Sequence, residues 1–498
     1  MPVTRRTFVR GTLAAGAAGL AVTSPLRRAV AANEQIRVAV LGVRMNGGRG
    51  ETHIDWVQGV EGMSVVAICD PDSQTLAGRA AWIEKNYNKK VDQAADFRQL
   101  LDRQDIDVIS IASPNHWHSL MAIWAMQAGK DVYCEKPVSH NVWEGRQVVL
   151  AARKYNKICA TGTQIRSATG VKDAVEFVRS GQIGRIQYAI ATCYKPRKSI
   201  GKLDAPLAIP DAIDYDLWCG PAAKVDLFRP QLHYDWHWDY NTGNGDLGNQ
   251  GIHQMDIARW FLGESALSPR VWSVGGRFAY EDAGNTANTQ VVFHDYPAAP
   301  LIFEVRGLPR IKSLQEGRAW DRGMDSYRGS GGIGVVIQCE GGYVVVNSYS
   351  GGKAFDNDGK QIKPFNGGGD HMRNFADAVR DRNYMTLNAD IEEGHISSGL
   401  CHTGNISYRL GAKKSAAEVM EEIQGNHNAS ESFGRMAVHL AANGIDISQS
   451  NLQAGPWLEM DPKAERFTND DKAVADKANA LLTREYRAPF VVPDIARI

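Results

Sequence analysis

The sequence has no surplus of charge: 56 basic and 56 acidic residues cancel to a formal net charge of zero. That removes the basic footprint a nucleic-acid-binding chain needs to neutralise phosphates. No segment approaches the ~20 apolar residues that span a bilayer, so the mature protein is expected to be soluble. Cysteine is scarce and unpatterned. The seven (Cys69, Cys134, Cys159, Cys193, Cys219, Cys339 and Cys401) contain no Cys-x-x-Cys or other metal spacing. Their odd number leaves at least one unpaired, and several fall in apolar strands where they read as core residues. The standard dinucleotide fingerprint G-x-G-x-x-G is missing as well, although a stretched version of it is present.

The N-terminus has the form of an export signal. Thr4-Arg5-Arg6-Thr7-Phe8-Val9-Arg10 is a twin-arginine pattern, followed by small apolar residues from Gly11 to Val22 and by Ala29-Val30-Ala31, a small-residue cleavage site. Residues 1–31 are therefore expected to be a cleaved signal, and the destination periplasmic or otherwise exported. Twin-arginine export carries folded proteins, so a cofactor can be loaded beforehand.

Residues 33–162 read as a dinucleotide-binding domain. Ile36–Leu41 is a short apolar strand that runs into Gly42-Val43-Arg44-Met45-Asn46-Gly47-Gly48-Arg49-Gly50, and a helical pattern starts near Glu51. Strand, glycine turn and helix is the context that brings backbone amides and a helix N-terminus to a pyrophosphate. Gly47-x-x-Gly50 keeps the second half of the fingerprint, but four residues separate Gly42 from Gly47 where the standard has one. A second strand, Ser64–Cys69, ends at Asp70, where an acid accepts from ribose hydroxyls and repels a 2′-phosphate. NAD is therefore expected over NADP, with NADP as the alternative. Strands at Asp107–Ala112, Asp131–Tyr133 and Ile158–Thr161 alternate with helices at 119–128 and 141–155, which predicts a parallel, doubly wound sheet.

Ligands bind such sheets at the carboxyl ends of the strands. Gly42, Asn46, Gly47, Gly50, Asp70, Pro114, Asn115, His118, Glu135 and Lys136 all fall there and are the expected cofactor contacts. Lys136 is the most telling of them. It closes a strand, sits beside Glu135 and precedes Pro137, and burial can lower a lysine's pKa towards working pH. It is expected to exchange a proton with a substrate hydroxyl.

Residues 163–412 change texture. Strands are expected at Ile186–Tyr194, Val271–Phe278, Thr289–His294, Leu301–Gly307, Gly334–Glu340 and Tyr343–Asn347, in a mixed or antiparallel sheet. The stretch Leu232–Tyr240 is rich in aromatics and histidine and suits a sugar face, so His237 and Trp238, with Tyr194 and Asn249, are candidate substrate contacts. A helix from about 247 puts Asn249, His253 and Asp256 on one face. His233, His237 and His253, with Asp235 and Asp239 nearby, match no standard metal spacing, and no metal is assigned. Residues 413–498 read as helices near 414–423, 429–443 and 470–485, an arm to pack on the domain or on a neighbouring subunit.

The glycine turn, Asp70, Pro114-Asn115-His116-Trp117-His118, Glu135-Lys136-Pro137 and the helix start at 245–256 together resemble the glucose–fructose oxidoreductase / inositol dehydrogenase (Gfo/Idh/MocA) family over residues 34–412. The resemblance implies a Rossmann domain followed by an open-sheet α/β domain, catalytic roles for Lys136 and His253, a small-molecule carbohydrate substrate and a homo-oligomer. Asn249 stands where that family usually has an aspartate. The implied activity is NAD-dependent hydride transfer from a sugar, glycoside or cyclitol hydroxyl with a tightly held cofactor. A redox-neutral glycosidase or lyase working through a 3-keto sugar is the alternative, and a non-catalytic sugar-binding protein a third reading.

Overall fold

A computed structural model describes residues 35–45 and 47–498. The expected signal segment 1–31 and Asn46 lie outside the described residues.

The first sheet is built from β1 (Ile36–Leu41), β2 (Met63–Cys69), β3 (Asp92–Ala94), β4 (Val108–Ile111), β5 (Asp131–Cys134) and β6 (Cys159–Thr161), in the order β3-β2-β1-β4-β5-β6. Every pairing is parallel. The strands are short and apolar because helices cover both faces, so neither side of a strand meets water. On one face lie α1 (Arg49–Gly59) and α2 (Ser73–Tyr87), which bury Ile54, Val57, Leu76 and Ile83. On the other lie α3 (Asn115–Gln127) and α4 (Val142–Lys154), with Leu120, Ile123, Val148 and Val149 inside. The chain reverses its direction of travel between β1 and β4, which opens a crevice at their carboxyl ends.

The second sheet is larger. β7 (Ile186–Tyr194), β8 (Arg270–Gly276), β9 (Thr289–His294), β10 (Leu301–Arg306), β11 (Ile333–Cys339), β12 (Gly342–Val346), β13 (Gly351–Phe355) and β14 (Gln361–Asn366) run in the order β14-β13-β12-β11-β7-β10-β9-β8. Only the β7–β10 pairing is parallel, with Ile190 beside Ile302. One face is packed by α5 (Thr169–Arg179), α6 (Ile252–Leu262) and α8 (Ile391–Leu410) around Phe261, Phe303 and Leu400. A further helix, α7 (His371–Asp381), crosses back to the first sheet and buries Met372, Phe375 and Val379 with α1 and α2.

The last 86 residues do more than the helical pattern foretold. α9 (Ala416–Ile423), α10 (His427–Ala442) and α11 (Lys472–Ala480) form as expected. Before and between them the chain adds β15 (Ala412–Lys414), β16 (Leu452–Ala454), β17 (Leu458–Asp461) and β18 (Arg466–Phe467), extending the large sheet beyond β8. These strands are two to four residues long, too short for a period of two to show in the sequence. α9 and α10 cover the remaining face of the large sheet, with Phe433, Met436 and Leu440 packed in one cluster with Trp272, Phe293 and Ile302. The tail returns to the first sheet and inserts Phe490, Val492 and Ile495 beside α3 and α4.

Candidate active site

The two sheets meet at a cleft of about 440 Å³, the size range of small-molecule and cofactor sites. The glycine turn forms its floor. Gly42 has φ +80°, and a Cβ there would lie 2.7 Å from the backbone of Ala112, so the turn after β1 can lie against the chain leaving β4 because the residue is glycine. At Gly50 a Cβ would come within 2.2 Å of the Gly42 carbonyl oxygen; this glycine lets α1 start against the turn. Gly47 has φ +83° and faces open space. Its glycine answers the backbone conformation and leaves the cleft side free for a ligand.

The extra residues in the turn are braced from behind by Arg79 of α2, which is fully buried. Its Nε donates to the carbonyl of Val43 and an Nη donates to that of Arg44, while the other Nη lies 2.8 Å from Glu51. Nothing in the pattern of α2 marks this arginine as different from the other surface-seeking charges. Asp70, at the end of β2, lines the cleft with both oxygens partly engaged: one accepts from the Val43 amide and the other from the Asp72 amide. Burial raises its carboxyl from the ordinary 3.8 to about 7, against the pull of those two amides. Asp72, and not Asp70, caps α2.

Pro114, Asn115 and His118 follow β4 and also line the cleft. Asn115 Nδ2 donates to Asn244 Oδ1 at 2.9 Å. The His118 ring lies between the carbonyls of Pro137 and Ser113, at 2.6 and 2.7 Å. It ties the β4 loop to the β5 loop and is a positioning residue by this geometry. Glu135 is buried at the end of β5. One of its oxygens meets His53, Arg49 and Gln164, and the other accepts from the Lys136 amide. Burial pushes its carboxyl up, but Arg49, His53 and Lys136 outweigh that and hold it well below the usual range. Glu135 is thus a fixed anion beside Arg49, with His53, which burial keeps neutral, on the same oxygen.

The Lys136 ammonium points across the cleft and donates to the main-chain carbonyl of Asn249 at 2.5 Å. Burial lowers its pKa from 10.5 to about 8, with Glu135 opposing and Arg49 and Lys195 reinforcing the shift. The peptide between Lys136 and Pro137 is cis.

Opposite stand residues of the second domain: His233, Tyr234, Trp236, His237, Lys195, Asn249, Gln250, His253 and Tyr349. Leu247–Gly251 forms a π-helical turn before α6 begins at Ile252. The helix from 247 is therefore not a single α-helix, although Asn249 and His253 both line the cleft. Such turns recur at functional sites. His253 is 2 % exposed, and its Nδ1 has no partner among the described residues. Burial, then the nearby Lys136 charge, keep the ring neutral far below pH 6.5. Trp236 stacks on His237 with ring centres 3.6 Å apart. Tyr234 holds a positive φ of 67°, a strained backbone at the cleft rim.

Three candidates point elsewhere. Asp256, on α6, is sealed by Arg166 and Ser397. Tyr194 donates its hydroxyl to Glu304 inside the large sheet, 2.7 Å away. Trp238 packs under the Arg197 guanidinium, 4.7 Å from its ring centre. Neither Tyr194 nor Trp238 lines the cleft, because each already has a buried partner. Among the described residues no three His, Cys, Asp or Glu side chains gather as a metal would require. The cleft also draws on residues the sequence did not single out: Arg49, Lys195, Trp236, Gln250 and Tyr349. Trp236 had a signal in its aromatic neighbourhood, and the others had none.

A floor of glycine amides at a helix N-terminus, an acid at the end of β2 and a lysine at the end of β5 fit a nicotinamide dinucleotide. Comparison with known proteins agrees. Residues 36–163 match the oxidoreductase family GFO_IDH_MocA, NAD-binding Rossmann fold, and residues 169–299 match the C-terminal α/β domain of that family. The chain belongs to the Gfo/Idh/MocA oxidoreductase family and carries its NAD-binding Rossmann domain. Over 162 residues it is 30% identical to an alpha-N-acetylgalactosaminidase of Shewanella oneidensis, covering 32% of this chain and 35% of that one. The glycosyl hydrolase family 109 protein 1 of Shewanella sp. (strain ANA-3) matches to the same extent. The match thus spans about a third of the length of these curated relatives. Among solved structures, the WlbA dehydrogenase from Bordetella pertussis, in complex with NADH and UDP-GlcNAcA, superposes with a TM-score of 0.52 at 18% identity. That alignment covers 74% of this chain and 94% of WlbA. An oxidoreductase from Agrobacterium radiobacter, in complex with NAD+, L-tartaric acid and magnesium, gives 0.51 at 13% identity, over 74% and 95% of the two chains. At these identities the likeness is one of fold.

Proposed function

We propose that this oxidoreductase removes hydride from a hydroxyl-bearing carbon of a sugar, glycoside or cyclitol, and that it keeps its NAD tightly bound. NAD supplies the hydride acceptor. One observation carries the reading: an ammonium brought to about pKa 8 shares the cleft with a buried, neutral imidazole that has a free ring nitrogen. Lys136 in its neutral form takes the hydroxyl proton, or passes it to His253. Glu135, with its charge fixed by Arg49 and His53, orients the lysine through its main-chain amide. The stacked Trp236 and His237 offer a flat face for a pyranose ring, and Gln250 and Asn249 offer amides for its hydroxyls.

A second reading has its own support in the named activities of the Shewanella relatives. In it, oxidation to a 3-keto sugar acidifies the neighbouring C–H. A base removes that proton, the glycosidic C–O bond breaks by elimination, water adds, and hydride returns to the sugar. The same lysine and histidine serve both readings. Export is part of the proposal, motivated by the twin-arginine form of residues 4–10 and by the sense of holding a cofactor that the destination does not supply.

The test is to purify the chain exported by its own signal, denature it and assay the released dinucleotide, then to follow nicotinamide absorbance while candidate glycosides are added. Stoichiometric NAD and lasting reduction by one substrate support the oxidoreductase. Cleavage without net reduction supports the glycosidase. Clearly substoichiometric dinucleotide would sink the tight-binding claim.

A further inference from the structure

Outside the cleft, a second cavity of about 190 Å³ lies between α8, the loop before α4 and the C-terminal tail. Its charged lining is of one sign. Arg409 of α8 and Arg484 of the tail both face it, and no acidic residue does. Neither arginine pairs with a carboxylate among the described residues. Arg484 spends its Nη donors on the carbonyl and the side chain of Asn241, each at 2.9 Å, and on Nδ1 of His140 at 3.3 Å. Arg409 makes no hydrogen bond among the described residues and lies over the ring of Tyr240, 4.3 Å from its centre. Glu144, a carboxylate behind the wall, is taken by Asn141 and Tyr486.

Two imidazoles complete the lining. His402 is 3 % exposed, its Nε2 meets Ser139, and its Nδ1 has no partner. The Nε2 of His140 is buried without a partner too. A buried ring nitrogen left unpaired costs desolvation energy that nothing in the chain returns. The unpaired donors of Arg409, which is exposed at the mouth of the cavity, together with orphaned ring nitrogens are what an anionic oxygen group satisfies.

We propose that this cavity binds a small oxyanion: inorganic phosphate or sulfate, or the carboxylate end of a sugar acid. Arg409 and Arg484 neutralise its charge, and the two histidines take its remaining hydrogen bonds. The site is separate from the cofactor cleft but shares a wall with it. Asn244 lines the cavity and accepts from Asn115, which lines the cleft. Because Arg484 comes from the tail, a bound anion also fastens the tail to α8.

Calorimetric titration of the full-length protein, saturated with NAD, tests this. Inorganic phosphate should bind at one saturable site. Its affinity should fall about tenfold or more in Arg409→Gln and in Arg484→Gln, the usual loss for one charge-assisted contact, with NAD binding unchanged in both. Arg409→Gln removes no hydrogen bond of the described fold, so it reads the site even if Arg484→Gln loosens the tail. Glucuronate that displaces phosphate would identify a sugar acid as the occupant; phosphate binding that glucuronate leaves untouched would identify an inorganic anion. No saturable binding by either probe, wild-type affinity in both variants, or phosphate that NAD competes away would overturn the proposal.

Discussion

Lys136 carries the greatest weight of any single residue. If it and His253 move the substrate proton, Lys136→Ala and His253→Ala should each lower turnover by roughly 10²–10⁴-fold, the range for general acid–base groups. The double variant should lose little beyond the worse single one, since residues that act as a unit are not additive. Single-turnover hydride transfer measures this, and near-wild-type transfer in Lys136→Ala would leave the lysine structural. The same residue sets a pH dependence. With its pKa lowered from 10.5 to about 8, the neutral base accumulates above pH 8, so kcat/KM should rise through that pH and level off. The sign for stability follows from proton counts. Between about pH 8 and 10.5 the unfolded chain holds the proton that the folded one has lost, so stability rises with pH across that window. Lys136→Met should therefore unfold later than wild type at pH 7, by on the order of 1 kcal/mol after allowing for solvent access to the cleft. Asp70 gives a second pH test. Its carboxyl is raised to about 7, and only the ionised form repels a 2′-phosphate. The preference for NAD over NADP should strengthen as pH rises through 7 and vanish in Asp70→Ser. Equal affinities for the two cofactors at pH 8 in the wild type would reject the assignment.

At the scale of elements, the stretched turn between β1 and α1 is the point of departure from the standard fingerprint, and Arg79 compensates for it. Arg79→Met would leave the Val43 and Arg44 carbonyls unpaired and free the turn to drift. NAD affinity should fall about 10–100-fold, as expected for the loss of two buried hydrogen bonds to a charge. Dinucleotide retained after dialysis measures it, and full retention would mean the turn holds itself. Most strands and helices of the first domain were legible in the sequence because each apolar run is bounded by glycine, proline or acid, and because helical and strand periods alternate; α2 and the three-residue β3 were not read. Ile36–Leu41, Ile186–Tyr194 and Thr289–His294 carry the boundaries the pattern suggested. The π-turn at Leu247–Gly251 was not legible, since one added residue in a turn leaves no mark in a glycine-rich stretch. Nor was the bracing role of Arg79, whose partners are backbone carbonyls more than thirty residues away.

For the whole molecule, the C-terminal extension decides how the large sheet is finished. Val419, Ile423, Phe433, Met436 and Leu440 are buried on a sheet face that would otherwise present Trp272, Phe293 and Ile302 to water. Each such side chain is worth about 1.5–3 kcal/mol. A chain ending at residue 412 should therefore aggregate or associate through that face and melt earlier than the full chain. Size-exclusion chromatography and thermal unfolding would show it, and a monomer of unchanged stability would refute the covering role.

The sequence by itself determined the alternation of the first domain, the family resemblance and the carboxyl-end placement of Gly42, Asp70 and Lys136. These are local matters: periodicity, turn chemistry and the residue that follows a strand. Only the tertiary structure decided which partners meet. It brought Lys136 to Asn249, 113 residues away in the chain. It turned Tyr194 and Trp238 inward onto Glu304 and Arg197, and it put Lys195 and Tyr349 into the cleft. Neighbours across a cleft are fixed by how two sheets pack, and packing depends on the whole buried surface of both, which no window of sequence contains.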